Sequence, residues 1–267
     1  MYGTAWKEAD TQRCVHDALA AGFRAIDTAN QRKHYFEQGV GDAIHEAIEN
    51  GAVTRNELFI QTKFTFRAGQ DDRLPYDPNA DIPTQVHQSF ASSLEHLQTD
   101  YIDSLVLHGP SRRMGLGDAD WQAWSAMEQV AASGRVNALG VSNVGLDQLQ
   151  ELFAAAKIKP SYVQNRCFAT VGWDRDIRHF CNENGIIYQG FSLLTANPQV
   201  FRHPLFRTLI ERYQTTPAQL VFRFAKQIGM WPLTGTTNPD HMREDLDAFV
   251  ESLSNEDLKE FEFVAID

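Results

Sequence analysis

The sequence lacks several features that would place it in a broad class of proteins. It has only 3 cysteines, Cys14, Cys167 and Cys181, and no two of them have the C-x-x-C spacing of a metal or redox site. No run of about 18 apolar residues occurs, so we expect no membrane-spanning helix. The first residues, MYGTAWKEAD, are unlike a signal peptide. We therefore expect a reducing compartment, the cytoplasm.

Positive charge is also scarce. The chain carries 24 Lys and Arg against 35 Asp and Glu, for a net charge of -11. Nucleic acids and anionic membranes bind clustered Lys and Arg, so neither is expected as a partner. The one local basic segment, Arg32 to His34, is typical of a solvated loop, the alternative being a contact to a cofactor phosphate. We expect a monomer that binds a small molecule.

What the chain does contain is an alternation of short apolar runs and amphipathic stretches. Seven strands are predicted at FRAIDTA, LFIQTKF, IDSLVLHGP, VNALGVSN, SYVQNRCF, IIYQGFSLL and MWPLTGTT, and an eighth at residues 2–5. Several helical stretches between them stop at a glycine, which is typical of a left-handed cap. Repeated β-then-α units predict parallel strands with right-handed crossovers.

This alternation predicts an α/β fold, a (β/α)8 TIM barrel, as one domain over residues 1–267. Its first strand is minimal, and no hairpin that would plug the bottom of the barrel is evident. Two long irregular segments, residues 65–82 and 109–117, follow strands and are expected to cover a substrate. The insertion NPQVFRHPLFRTLIERY predicts an extra helix, and Ser254 with Asp257 predicts the start of a final one.

Four polar residues lie at, or just past, the ends of predicted strands. They are Asp27, Tyr35, Lys63 and His108. A parallel barrel gathers such strand ends into one active site. Taken singly, each has an ordinary explanation, such as a helix cap, a snorkelling lysine, a packing tyrosine or a core histidine. Because a buried ammonium is costly unless paired, Asp27 and Lys63 on neighbouring strands are expected to form an ion pair.

Together the four side chains suit the protonation of a carbonyl oxygen during its reduction. A phenol can donate the proton, a lysine can lower the pKa of that phenol, and an aspartate can hold the lysine. A histidine can orient the carbonyl group. The combination therefore predicts reduction of a C=O group.

The segments IDTA, TK, LHGP, GRVNALGVSNVGLDQL and YVQN, in this order, closely resemble the aldo-keto reductases over nearly the whole chain. The resemblance implies a (β/α)8 barrel that binds an extended nicotinamide cofactor without a G-x-G-x-x-G fingerprint, and no such fingerprint occurs here. It implies that Tyr35 donates the proton, that Lys63 and Asp27 lower its pKa, and that His108 orients the carbonyl. The implied function is NADP(H)-dependent reduction of aldehydes or ketones to alcohols, without a metal.

The resemblance also implies a set of cofactor contacts. Ser142, Asn143 and Gln164 would bind the nicotinamide carboxamide, and Phe191 would stack on its ring. The segment LTGTTNPDHMRED would bind the adenosine phosphate, because a helix N-terminus offers free N–H groups. The full implied set is Gly3, Thr4, Ser142, Asn143, Gln164, Phe191, Ser192, Leu194, Gly235, Thr236, His241, Arg243, Glu244 and Asp245.

Departures from the family pattern leave alternatives open. Gly235 stands where the family usually has a lysine, and His241 near its usual arginine, with Arg243 able to substitute. NADPH is expected, and NADH is the alternative. The insertion NQRKH lengthens the segment before Tyr35 and makes His34 the rival proton donor.

Two further questions stay open at this point. The short segment before the first strand favours an alternative function, a catalytically weak nicotinamide-binding regulatory protein. ALGVSN and YVQN argue against a third reading, a non-redox barrel enzyme such as an isomerase. Aromatic residues near the strand ends favour an apolar carbonyl substrate, with ordinary loop packing as the alternative; they are Trp6, Phe64, Phe66 and Tyr76.

Overall fold

The structure is a computed structural model that describes residues 1–249 and 251–266. It divides into two compact units, Met1–Val163 and Gln164–Asp267. Eight strands follow one another in chain order in the sheet, and helices alternate with them, which is the element order of a (β/α)8 barrel. The expectation of one domain over residues 1–267 stays a prediction. Within the two described ranges, no helix combines the length and the apolar character needed to cross a membrane.

The first unit contains five parallel strands that pair in chain order, with helices between them. The elements are β1 (Tyr2–Gly3), α1 (Thr11–Ala21), β2 (Ala25–Asp27), α2 (Glu37–Glu49), β3 (Phe59–Phe64), α3 (Ile82–Leu97), β4 (Ile102–Leu107), α4 (Asp118–Ala132), β5 (Val136–Ser142) and α5 (Leu146–Ala155). Strand β6 (Tyr162–Arg166) begins at the end of this unit. The minimal first strand predicted at residues 2–5 is confirmed by β1.

After the end of β6, the described residues of the second unit, 164–249 and 251–266, form two strands and five α-helices. They are α6 (Arg175–Glu183), β7 (Ile187–Phe191), α7 (Pro204–Tyr213), α8 (Pro217–Gln227), β8 (Met230–Pro232), α9 (Pro239–Asp247) and α10 (Asn255–Glu262). Strand β8 pairs parallel to β7 and ends at Pro232, so it is shorter than the predicted run. Helix α7 confirms the predicted extra helix.

Local sequence signals explain where the helices begin and end. The predicted glycine caps all have left-handed backbone angles; at Gly22, φ is 114°, and its N–H donates to the carbonyls of Ala18 and Leu19. The side chain of Ser254 accepts a hydrogen bond from the N–H of Asp257, which confirms the predicted start of α10.

Each unit has its own apolar core. In the first unit, the strands bury Ile26, Ile60, Val106 and Leu139 completely, and helices α1, α2, α3 and α4 pack in succession. In the second, Trp173 and Phe224 pack against Phe261 of α10, with ring centroids 5.9 and 4.6 Å from that of Phe261. Burying side chains of this size stabilises each unit by about 1.5–3 kcal/mol per residue. These rigid cores hold the strand ends that carry the polar residues.

Candidate active site

A buried ion pair forms the base of the site. The Nζ of Lys63 lies 2.6 Å from Oδ1 of Asp27, and the two side chains are 0% and 3% exposed. Lys63 also donates to the carbonyl of Thr28 at 2.8 Å, and Gln61 donates to the same Asp27 oxygen at 2.8 Å. The structure therefore brings together the two charges expected to pair. Burial lowers the pKa of Lys63, and the charge of Asp27 opposes that shift.

Tyr35 lies above this ion pair. The Lys63 Nζ is 5.3 Å from the centre of the Tyr35 ring, and the ring of His108 lies 5.9 Å from it, edge to face. Burial raises the pKa of Tyr35 well above its ordinary value, and the charge of Asp27 adds to the shift. Its phenol is therefore protonated at neutral pH.

The insertion before Tyr35 is tied down by its own side chains. Asn30 donates to the carbonyl of Ser89 at 2.9 Å, and Gln31 donates to that of Gly69 at 2.6 Å. The N–H of Tyr35 then donates to the carbonyl of Gln31 at 3.0 Å. These bonds let the longer segment return Tyr35 to Lys63 and His108.

His34, the rival proton donor, makes different contacts. Its ring lies 3.9 Å from that of Trp6, and its carbonyl accepts a hydrogen bond from the Trp6 N–H at 2.7 Å. Burial and the neighbouring Lys33 charge lower the pKa of His34. Tyr35, rather than His34, has the lysine against its ring.

His108 is a neutral imidazole at the end of β4. Burial lowers its pKa to about 3, and the positive charge of Lys63 adds to the shift. The backbone N–H of His108 donates to the carbonyl of Phe64 at 2.9 Å, and the backbone carbonyl of His108 accepts from Asn143 Nδ2 at 2.7 Å. The Nδ1 of the ring lies 2.6 Å from Oγ1 of Thr65. A neutral histidine can offer one N–H to a substrate oxygen.

Four of the predicted cofactor residues belong to the first unit, at the same strand ends. Gly3 pairs in register with Asp27, and the Thr4 hydroxyl donates to the Asp27 carbonyl at 2.9 Å. Ser142 ends β5 and is buried, whereas Asn143 has φ 53° and donates to Ser142 Oγ at 3.2 Å. Asparagine tolerates this left-handed angle better than most residues.

In the second unit, four more predicted residues lie in β6 and β7 or shortly after β7. Gln164 is buried and donates to Gln189 Oε1 at 3.0 Å. Phe191 is half-buried, with the guanidinium of Arg166 5.7 Å from its ring centre. Ser192 has φ 57°, and Leu194 is half-buried. This arrangement leaves part of the Phe191 ring open for stacking.

The predicted phosphate segment, also in the second unit, surrounds the start of α9. Gly235, His241 and Arg243 are exposed, whereas Thr236 and Glu244 are half-buried. Arg243 pairs with Asp240 at 2.9 Å, so its guanidinium is directed to the surface of α9.

Asp245 is the buried member of this segment. It accepts the hydroxyl of Thr234 at 2.6 Å, and burial raises the pKa of its carboxyl to about 6. Because its carboxyl is buried, Asp245 is less accessible to a bound cofactor than the exposed residues around it.

The predicted aromatic residues divide into two kinds. Phe64 and Tyr76 are buried. The centre of the Phe64 ring lies 5.3 Å from that of Phe66 and 5.8 Å from that of Tyr76, so these side chains pack against one another and do not face a substrate. Trp6 is 71% exposed and can contact a ligand.

Two side chains that contact the four predicted catalytic residues were not predicted from the sequence. Gln61 bonds Asp27, and Thr65 contacts His108. A period of two would have pointed to them, because Gln61 and Lys63 share one face of β3, and Thr65, the first residue after the strand, continues the same alternation. In residues 1–249 and 251–266, no group of three or more His, Cys, Asp or Glu side chains could hold a metal ion.

Comparisons with known proteins show the family and the fold of this chain. The model of the Aldo/keto reductase family matches residues 2–197. The glyoxal reductase of Bacillus subtilis (strain 168) is 30% identical over 91% of this chain and 79% of its own, and the methylglyoxal reductase DkgA of Yersinia pestis is 30% identical over 93% and 82%. A crystal structure of a Bombyx mori aldo-keto reductase in complex with NADP is 26% identical, with TM-score 0.81 over 98% of this chain and 87% of its own. The last comparison confirms the predicted (β/α)8 fold class, and the family match shows that this chain belongs to the aldo/keto reductase family.

Proposed function

We propose that this protein is an NADP(H)-dependent carbonyl reductase that converts aldehydes or ketones to alcohols. The observation that carries the proposal is the buried Lys63–Asp27 pair at 2.6 Å, lying against the ring of a protonated Tyr35. A fold does not need a buried charged pair for stability, since apolar side chains of the same volume do as well or better. We further propose that residues 1–267 act as one domain, as a monomer in the cytoplasm, where the free cysteines stay reduced.

The residues present fit a nicotinamide cofactor. Asn143 uses its amide nitrogen within the protein, which leaves the amide oxygen to accept a hydrogen bond from a carboxamide. Phe191 offers a half-buried ring for stacking, and Arg243 offers an exposed cation for a phosphate. When bound, the cofactor supplies the hydride. NADP in the Bombyx mori relative supports NADPH, with NADH as the alternative.

The side chains of the first unit would then stabilise and neutralise the negative charge that develops on the carbonyl oxygen. His108, neutral and half-buried, would orient that oxygen through an N–H. Tyr35 holds its proton at neutral pH and would pass it to the oxygen as negative charge builds up there. The phenolate left behind would be compensated by the Lys63 ammonium, which Asp27 and the Thr28 carbonyl hold in place.

The substrate class follows from less specific features. The relatives named glyoxal reductase and methylglyoxal reductase favour small dicarbonyl compounds. Exposed Trp6, whose ring is tilted against that of His34, favours an apolar or aromatic aldehyde. Both classes are therefore included in the test.

The test is NADPH and NADH oxidation with glyoxal, methylglyoxal and an aromatic aldehyde. We expect turnover by the wild type, a loss of about 10²- to 10⁴-fold in kcat for Tyr35→Phe, and near-normal kcat for the matched neighbour variant His34→Gln. Cofactor binding, followed by tryptophan fluorescence, is expected to persist in both variants. Binding without turnover in the wild type would favour the regulatory alternative, and an unaffected Tyr35→Phe would exclude Tyr35 as the donor.

A further inference from the structure

Thr65 is placed by three neighbouring residues, although it lies in a loop. It follows β3 directly and is only 5% exposed. Its carbonyl accepts hydrogen bonds from the Tyr76 hydroxyl at 2.8 Å and from Gln70 Nε2 at 3.4 Å. A Cβ added to Gly69 would lie 2.7 Å from the Thr65 methyl, so the absence of a side chain at Gly69 makes room for that methyl group. With the carbonyl and methyl fixed, the hydroxyl has one direction left.

The Thr65 hydroxyl points to the imidazole of His108. Oγ1 of Thr65 lies 2.6 Å from Nδ1 of His108. The two residues lie side by side just past β3 and β4, since the backbone N–H of His108 donates to the carbonyl of Phe64. No other hydrogen-bond partner of the Thr65 hydroxyl occurs in the part of the chain that the structure describes. A buried hydroxyl proton without an acceptor is costly, at about 1–3 kcal/mol. The hydroxyl therefore donates, and Nδ1 accepts.

The direction of this bond decides what the other ring nitrogen can do. A neutral imidazole carries one proton, and with Nδ1 accepting from Thr65 the proton resides on Nε2. In the opposite arrangement Nε2 would be an acceptor, which cannot stabilise negative charge on a carbonyl oxygen. Resting on the carbonyl reduction proposed above, we propose that Thr65 is a positioning residue that fixes His108 as the Nε2–H tautomer and aims this donor at the carbonyl oxygen.

The proposal requires a readout that is independent of turnover. The ¹⁵N NMR signals of histidine-labelled protein distinguish the two neutral tautomers, and a His108→Gln spectrum assigns the signal among the 9 histidines. At pH 7 we expect His108 protonated on Nε2 in the wild type. Thr65→Val keeps the shape and removes the hydroxyl, so we expect a mixed or reversed tautomer and a kcat reduced about 2- to 12-fold, the value of one hydrogen bond. Thr65→Ser is expected to restore both.

Matched controls separate the possible failures. Thr84→Val removes an exposed hydroxyl at the start of α3 and is expected to change neither the tautomer nor kcat. An Nδ1–H tautomer in the wild type, or a Thr65→Val protein with unchanged tautomer and rate, would overturn the role of Thr65. A wild type that shows the Nε2–H tautomer but reduces no carbonyl would instead contradict the proposed function. Should Thr65→Val fold poorly, the wild-type and Thr65→Ser spectra still decide the tautomer.

Discussion

Two ion pairs in this protein have similar lengths and opposite surroundings. Lys63 and Asp27 lie 2.6 Å apart with side chains 0% and 3% exposed, whereas Arg243 and Asp240 lie 2.9 Å apart with side chains 58% and 78% exposed. The first belongs to the proposed catalytic centre of the first unit, and the second to the proposed phosphate segment of the second unit. Exposed pairs gain little because water and salt screen them. Buried pairs are costly to assemble and more costly to break.

This difference in burial decides at which of the two pairs a chemical role can be inferred from the structure. A buried lysine held by an aspartate and a backbone carbonyl, with a glutamine holding that aspartate, has one position and a perturbed pKa, which is typical of an active site. An exposed arginine on a helix has many positions, and its present partner does not predict its ligand. The predictions below apply the same kind of change to both places.

Removing the cation is expected to have the largest effect. Lys63→Met takes away the charge that compensates a Tyr35 phenolate, so we expect kcat to fall about 10²- to 10⁴-fold. Arg243→Met is expected to leave kcat unchanged and to raise the KM for NADPH about two- to five-fold, as for one exposed charge contact. Steady-state kinetics of both variants with NADPH and NADH measures this. Equal losses of kcat in the two variants would show that burial does not separate their roles.

Removing the carboxylate is expected to separate the two pairs in stability. Asp27→Ala leaves a buried ammonium without its partner, so we expect the free energy of unfolding to drop by about 3–5 kcal/mol. Asp240→Ala breaks an exposed pair and is expected to cost less than about 1 kcal/mol. Denaturant unfolding at pH 7 compares them. A small cost for Asp27→Ala would mean that the lysine loses its proton instead of remaining a buried cation.

How much of this could be predicted from sequence depends on burial in the same way. The strand ends, the glycine caps and helices α7 and α10 follow from hydrophobic periods and local capping rules, and all are present. The proximity of Tyr35 to Lys63 despite the insertion could not be predicted, because it depends on the Asn30 and Gln31 side chains reaching the carbonyls of Ser89 and Gly69. The sequence left open whether Phe64, at the end of β3, and Tyr76, in the following loop, pack inward or face a substrate, since a period does not reveal which residues of a loop turn inward.

A smaller effect is expected from Asp245, a buried carboxylate whose hydrogen-bond donor is the neutral Thr234 hydroxyl. Burial raises its pKa to about 6, above the value of about 4 expected in the unfolded chain. The unfolded state therefore releases this proton first, and stability falls as pH rises from about 4 to about 6. Asp245→Asn stays neutral, so its stability relative to the wild type is expected to increase over that window and level off above it.

Denaturant unfolding at pH 4, 5, 6 and 7 measures the effect, with the exposed Asp247→Asn on the same helix as the control. A stability difference that does not vary with pH would show that Asp245 ionises normally in the folded protein.

The most direct measurement is a single turnover with deuterium-labelled NADPH and methylglyoxal, with the labelled alcohol detected by mass spectrometry. The proposed buried centre predicts that the wild type forms deuterated alcohol in an amount equal to that of the enzyme. It also predicts that Tyr35→Phe binds NADPH but forms this alcohol at most about a hundredth as fast. Equal rates in the two proteins, or no labelled alcohol from the wild type with any carbonyl tested, would contradict it.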